Sequence, residues 1–188
     1  MSCITGIAAN LINDCANSPV AGLEEVMYVF NADELTATKS LTLKSLVTDL
    51  ALGIGKKGYK VQGFKKSHNS KNELVVSDTL PDMYKQTIDF QIWSKDAATV
   101  TALDQLNNLV IVTENKDKGV AGASAFNIFG LDTALFKAAM TQEANVDGGV
   151  FKVSMAADGQ RVPFYNFYDP TGYAASKATL EALLVVQV

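Results

Sequence analysis

The sequence has 188 residues, of which 48% are hydrophobic and 19% are charged, and this is an ordinary composition for one globular domain. The net charge of −4 and the isoelectric point of about 5.0 exclude broad attraction to nucleic acid phosphates or to anionic membranes. No run of about 18 apolar residues and no signal-peptide pattern occur, so we expect synthesis in a cytoplasm and no membrane partner.

The first 22 residues mix small, polar and turn-forming types with scattered Ile and Leu, a pattern that fits neither helix nor strand. We expect residues 1–22 to form an N-terminal arm and residues 23–188 to form a single β-rich domain. The arm holds the only cysteines, Cys3 and Cys15, which cannot build a disulfide framework or complete a structural zinc site by themselves. Free thiols or buried apolar groups are expected, while a loop-closing bridge and a contact between subunits stay open.

Residues 23–30 are rich in β-forming types and end at a turn-forming Asn-Ala-Asp, so they predict a first strand. A second strand region is predicted within residues 41–52. Residues 56–71 hold six lysines and the only histidine but no acidic residue, and this predicts a long basic hairpin or loop.

The clearest alternation of polar and apolar residues covers positions 84–93, and its period of two predicts a strand that is buried on one face only. The buried face carries Ile88, Phe90 and Ile92. The other face, which lines either solvent or a lumen, carries Lys85, Thr87, Asp89 and Gln91. In residues 94–108 the apolar spacing changes to three, and Asp96 provides an N-cap, so a helix of about three turns is expected.

Hairpin signals dominate the second half of the chain. Residues 109–112 form an apolar run, a turn follows, and residues 125–130 are the expected partner strand. Residues 150–155 alternate between two turns, the second at Asp158-Gly159. The aromatic segment 162–168 precedes Asp169-Pro170, which predicts a C-terminal helix over residues 170–184. The expected fold is therefore mainly β, sandwich or barrel-like and largely antiparallel, with one flanking helix and a C-terminal helix.

No residue pattern indicates catalysis, a cofactor or a metal, so we expect no enzyme activity and no cofactor. His68 lies in a polar, lysine-rich stretch and is expected to be solvated, with no G-x-S-x-G turn to support a Ser-His-Asp relay. The glycine-rich residues 53–58 lack the spacing of a phosphate loop and predict a turn. The acidic pairs Glu24-Glu25 and Asp33-Glu34 lack a metal-binding spacing, so solvated charges are expected.

The lysine-rich stretch has three open interpretations: a solvated loop, an electrostatic contact with an acidic patch on a neighbouring copy, or contact with DNA. The aromatic residues Trp93, Phe164, Tyr165, Phe167 and Tyr168 exceed what the edges of a small core need, and such residues favour interfaces, although core packing stays open for each. The candidates for a subunit interface are Lys56, Lys57, Lys60, Phe64, Lys65, Lys66, Lys71 and Trp93.

Several segments in order resemble a known family. They are a Met-x-Cys start with a second cysteine near residue 15, a Pro-x-x-Gly lead into an aromatic-bearing strand (residues 19–30), a long alternating strand running into a helix (residues 84–108), LVIVTENKDKG, a hairpin reaching NIFGLDTALFKA, and GGVFKVSM. Over residues 1–155 this order resembles the tail tube proteins of tailed bacteriophages.

The resemblance implies a structural virion protein that forms hexameric rings, which stack into a tail tube through which double-stranded DNA passes without specific binding. It also implies other tail proteins as partners, assembly in the host cytoplasm and a place in the virion tail. Six copies at −4 would give a ring of −24, which would repel phosphates. The open alternatives are a connector, terminator or baseplate ring, a non-viral β-sandwich binding module and an enzyme.

Overall fold

The computed structural model describes residues 20–64, 66–79 and 81–187, which form two β-sheets and two α-helices. Most of the expected N-terminal arm, with Cys3 and Cys15, lies outside the described residues, as does Lys65. The strands are β1 Leu23–Asn31, β2 Leu35–Lys39, β3 Leu46–Leu52, β4 Tyr59–Gln62, β5 Asn69–Val75, β6 Met83–Ile92, β7 Leu109–Asn115, β8 Phe126–Phe129, β9 Phe136–Gln142, β10 Phe151–Gln160 and β11 Tyr165–Phe167. The helices are α1 Ala97–Asp104 and α2 Tyr173–Ala182. The predicted fold class is confirmed.

The larger sheet has seven strands in the order β2-β3-β11-β8-β7-β1-β4, and it is curled. In a flat sheet β1 and β2 would lie five strand spacings, or about 24 Å, apart. Only three residues, Ala32–Glu34, join them, and this connection reaches at most about 14 Å. The sheet therefore bends around α2, whose Leu180 and Leu183 belong to one apolar cluster with residues from both ends of the sheet.

Both faces of the seven-stranded sheet are covered. Tyr28 and Phe30 on β1 pack in the cluster that includes α2, whereas their neighbours Met27 and Val29 pack against the second sheet. A strand that is covered on both faces carries apolar residues at consecutive positions. This explains the continuous apolar runs in β1, β7 and β8. Of the described helices, none is long and apolar enough to cross a bilayer.

The smaller sheet has four strands in the order β5-β6-β10-β9, all paired antiparallel. Its inner face packs on the larger sheet and buries Ile88 and Phe90 of β6 beside Val153 and Met155 of β10. The alternation predicted for residues 84–93 is seen in β6: Ile88 and Phe90 are buried on the inner face as expected, whereas Ile92, also expected there, is only partly buried. Residues 85, 87, 89 and 91 lie on the outer face and are partly exposed.

The expected basic hairpin over residues 56–71 is wrong, because the stretch crosses from one sheet to the other. The first part, β4, pairs with β1 in the seven-stranded sheet. The second part, β5, pairs with β6 in the four-stranded sheet. Strand partners are chosen by contacts distant in sequence, which local composition does not reveal.

Other boundaries also differ from the sequence-based expectations. Leu41 and Leu43 lie in a loop before β3, held by bonds from the backbone N–H groups of Thr42 and Leu43 to Ser40 Oγ. The Asp158-Gly159 turn lies inside β10, at a bulge. The C-terminal helix begins at Tyr173 and not at Pro170. The helix begins later than expected because Asp169 closes a separate turn before it. The Oδ1 atom of Asp169 accepts hydrogen bonds from the backbone N–H and the hydroxyl of Thr171.

Candidate functional site

The four-stranded sheet ends in two seven-residue edge strands, β5 and β9. Within the described residues, no strand pairs with the far side of either. Along β5, Leu74 is 52% exposed and Val75 is also exposed. Along β9, Phe136 is 49% exposed and Met140 is also exposed. Long edges with apolar side chains are surfaces on which another strand can add.

The lysines of these two strands are engaged within the chain. Lys71 on β5 lies 2.5 Å from the Glu73 carboxylate. Lys137 on β9 donates to the backbone carbonyls of Leu103 and Asp104, 3.2 and 3.3 Å away, at the end of α1. Lysines that project freely from an edge commonly block strand addition. Neither Lys71 nor Lys137 projects freely from its edge strand in this way.

The outer face of the four-stranded sheet is polar along its centre, whereas the exposed apolar residues Val75, Met83 and Phe136 lie towards its margins. It includes the four residues that the sequence placed on a solvent or lumen face, Lys85, Thr87, Asp89 and Gln91. Strand pairing sets Asn69 and Lys71 of β5 opposite Asp89 and Thr87. On the other side, Lys152 and Ser154 of β10 lie opposite Gln91 and Asp89.

Of the six lysines expected to form one interface, the five that the structure describes, all except Lys65, are divided between two regions. Lys56 lies just before β4 of the seven-stranded sheet and Lys60 lies on that strand; their Nζ atoms are 2.7 Å from Glu34 and 3.3 Å from Glu181, respectively. Lys57 stands 5.5 Å from the ring centroid of Tyr59. Lys71 lies on β5 of the four-stranded sheet, and Lys66 lies next to that sheet. The structure therefore does not bring the lysines together into one basic patch.

Internal carboxylates also change the electrostatics of this stretch. A hydrogen bond from Lys56 lowers the pKa of Glu34 below its ordinary value of 4.5. The acidic partners of Lys56 and Lys60 lie far away in the sequence, between β1 and β2 and in α2. A sequence stretch without acidic residues is thus partly neutralised by the fold.

Phe64 and Trp93 form an exposed aromatic pair. Their ring centroids are 5.0 Å apart and the rings are tilted by 53°. Trp93 is 56% exposed, and its role at a subunit interface stays a prediction. Tyr165 and Phe167 are instead buried in the core around α2, so for these two residues the core interpretation is correct.

His68 is buried, with 6% of its surface exposed, so the expectation of a solvated histidine is wrong. It lies just before β5, where its Nδ1 is 3.3 Å from the backbone oxygen of Glu24 on β1. Its Nε2 is buried without a hydrogen-bond partner. Burial lowers the pKa of His68 below its ordinary value of 6.5. The imidazole packs against the nearby Gly63 and also reaches β1, where Glu24 lies 44 positions away in the sequence.

The sequence analysis also missed a buried carboxylate, Glu114 at the end of β7. Its carboxylate accepts hydrogen bonds from Lys118 at 2.6 Å, from the Tyr173 hydroxyl at 2.5 Å and from Lys177 at 3.1 Å. Tyr173 and Lys177 belong to α2, so the cluster ties this helix to the sheet. Its residues are engaged with one another, and a structural role explains the arrangement.

Among the described residues, no group of three or more His, Cys, Asp or Glu side chains is placed to hold a metal ion. No protein-family model matches the chain, and the searches of curated proteins and of solved structures found no similar protein. The likeness to tail tube proteins therefore stays a prediction from the sequence.

Proposed function

We propose that this chain is a structural subunit that assembles with copies of itself into hexameric rings, and that the rings stack into a tail tube through which double-stranded DNA passes. The observation that carries the proposal is the pair of open edges, β5 and β9, on one sheet. The number of six subunits per ring and the stacking of rings into a tube are taken from the resemblance to tail tube proteins.

The two edges lie on opposite sides of the same sheet. An interface between β5 of one copy and β9 of the next is therefore heterologous, and such an interface closes into a ring when the rotation between copies allows it. Pairing would satisfy the open backbone groups and cover Leu74 and Phe136, which are exposed in the single subunit.

The dimensions of such a ring suit the proposed passage. Six copies of a four-stranded sheet contribute 24 strands. At a spacing of about 4.8 Å per strand, their circumference is about 115 Å, which corresponds to roughly 37 Å between opposite backbones before any strand tilt. This opening is wider than a DNA duplex, and strand tilt would widen it further.

Lysines placed on the exposed edge test the proposal. In the variant Phe136→Lys with Met140→Lys, β9 would present two charges to an arriving strand, and we expect sedimentation velocity to show single subunits only. The matched control replaces Leu41 and Ile54, two exposed apolar residues in loops, by lysine and should assemble as the wild type does. Equal ring formation by the edge variant and the control would contradict edge pairing.

A further inference from the structure

One buried side chain anchors the beginning of the edge strand β5 in the interior of the domain. None of the seven residues of β5 itself is buried. Among the described residues between Gly58 and Gln86, His68 alone is buried, with 6% of its surface exposed. It lies one position before β5. Besides the pairing of β5 with β6, this imidazole therefore fixes the point at which the edge strand begins.

The imidazole occupies a slot between Gly63 and β1. Gly63 donates its backbone N–H to the carbonyl oxygen of Glu25 at 2.7 Å, and His68 Nδ1 lies 3.3 Å from the carbonyl oxygen of Glu24. A methyl group at position 63 would overlap the Nε2 atom of His68. The slot therefore exists because residue 63 has no side chain.

This slot suits the neutral imidazole and not the charged one. Because a carbonyl oxygen only accepts hydrogen bonds, the contact with Glu24 requires a proton on Nδ1, and a second proton would have to be added at Nε2. Among the described residues, Nε2 of His68 has no hydrogen-bond partner. An imidazolium would thus bury both a charge and an N–H group without an acceptor, which is strongly unfavourable.

Neighbouring charges do not remove this penalty. The charged groups on the elements around the imidazole are Glu24, Glu25, Lys66, Asp89, Asp117 and Lys118. The carboxylate of Glu24 is already paired with Lys118, 3.2 Å away. Burial lowers the pKa of His68 below 6.5, and it outweighs the bond to the Glu24 backbone and the Glu25 carboxylate, which act in the opposite direction.

We propose that His68 is an acid-sensitive latch for the β5 edge: the neutral imidazole holds the beginning of the strand against β1, and protonation expels the ring and withdraws the edge from pairing with a neighbouring copy. This inference rests on the proposed function. An apolar side chain in the same slot would hold β5 at any pH, whereas histidine takes up a proton in mild acid. Assembly is thereby confined to neutral pH and is reversible.

Hydrogen exchange measured by mass spectrometry, with sedimentation velocity on the same samples, tests the latch at pH 7.5 and 5.5. Exchange rates are corrected for the intrinsic effect of pH. The matched variant is His68→Gln, because glutamine keeps a donor beside Glu24 but does not titrate. His68 is the only histidine of the chain, so this variant leaves every other titrating group in place. A second variant, Gly63→Ala, fills the slot at both pH values.

Between pH 7.5 and 5.5, we expect the exchange of residues 69–75 in the wild type to rise by up to about tenfold. This is the increase for a ring that is neutral when held and has an ordinary pKa when released. The wild type should dissociate over the same interval, while His68→Gln stays assembled. The strand β7, which is buried between the two sheets, should stay protected. Gly63→Ala should exchange rapidly in β5 and fail to assemble at both pH values.

Unchanged exchange of β5 in the wild type, an equal rise in β7, or a protected β5 in Gly63→Ala would each overturn the latch. Wild-type rings that persist at pH 5.5, or an acid response of the same size in His68→Gln, would also overturn it. A wild type that stays a single subunit at pH 7.5 while β5 shows the expected exchange would refute only the proposed function.

Discussion

The Glu114 carboxylate on β7 and the Lys177 ammonium on α2 form an ion pair, with 3.1 Å between Oε2 and Nζ. The Glu114 side chain is only 3% exposed, while Lys177 reaches solvent. Lys118 and Tyr173 bind the same carboxylate, so one buried charge joins β7, the following turn and the C-terminal helix.

Glu114→Gln keeps the side-chain volume but removes the charge that Lys118 and Lys177 share. We expect the free energy of unfolding to fall by about 1–3 kcal/mol, the range for hydrogen bonds to charged groups, and towards its lower end because both lysines reach water. Urea denaturation measures the change. The control Asp104→Asn alters an exposed, 3.8 Å ion pair with Lys137 and should change stability by less than about 0.5 kcal/mol. Equal losses in both variants would show that the buried cluster does not hold α2.

Acid should weaken the same cluster. Burial alone would raise the pKa of Glu114, but hydrogen bonds from Lys118, Tyr173 and Lys177 outweigh it and hold the pKa below 4.5. The folded state therefore binds this proton less readily than the unfolded state, and the stabilisation is lost as the pH falls below about 4.5. Denaturation midpoints between pH 5 and 3 should fall more steeply for the wild type than for Glu114→Gln. Parallel curves would contradict this cause.

His68 predicts a separate effect at milder pH. Because burial lowers its pKa, the unfolded state takes up a proton near pH 6.5 while the folded state stays neutral. Stability is then complete above that pH and declines as the pH falls from about 6.5 towards the folded-state pKa. Urea midpoints at pH 7.5 and 5.5 should differ for the wild type and differ less for His68→Gln. The same difference in both proteins would rule out His68 as its origin.

Two adjacent residues on β6 test the register of the four-stranded sheet. Phe90 is buried opposite Val153, whereas Asp89 is partly exposed opposite Ser154. Phe90→Ala should cost about 3–5 kcal/mol, and Asp89→Ala less than about 0.5 kcal/mol. Chemical denaturation of both variants gives the comparison. A large loss for Asp89→Ala with a small loss for Phe90→Ala would reverse the assigned faces.

The sequence predicted those features that local spacing determines. The period of two gave the buried face of β6, and Asp96 was correctly identified as the cap of α1, where its Oδ1 accepts a bond from the Thr99 backbone N–H. Features made by distant contacts were not predictable. Glu24 and His68 meet across 44 positions, and Lys60 meets Glu181 across 121. The open edge β9 was missed because its sequence, FKAAMTQ, lacks alternation.

Electron microscopy of the purified wild-type chain in negative stain tests self-assembly most directly, with sedimentation velocity on the same sample over a range of concentrations. We expect closed rings of six subunits with a central opening, and stacks of these rings as the concentration rises. A folded protein that stays a single subunit of 20.1 kDa at every concentration, without rings or tubes, would contradict the proposal that β5 and β9 pair between copies.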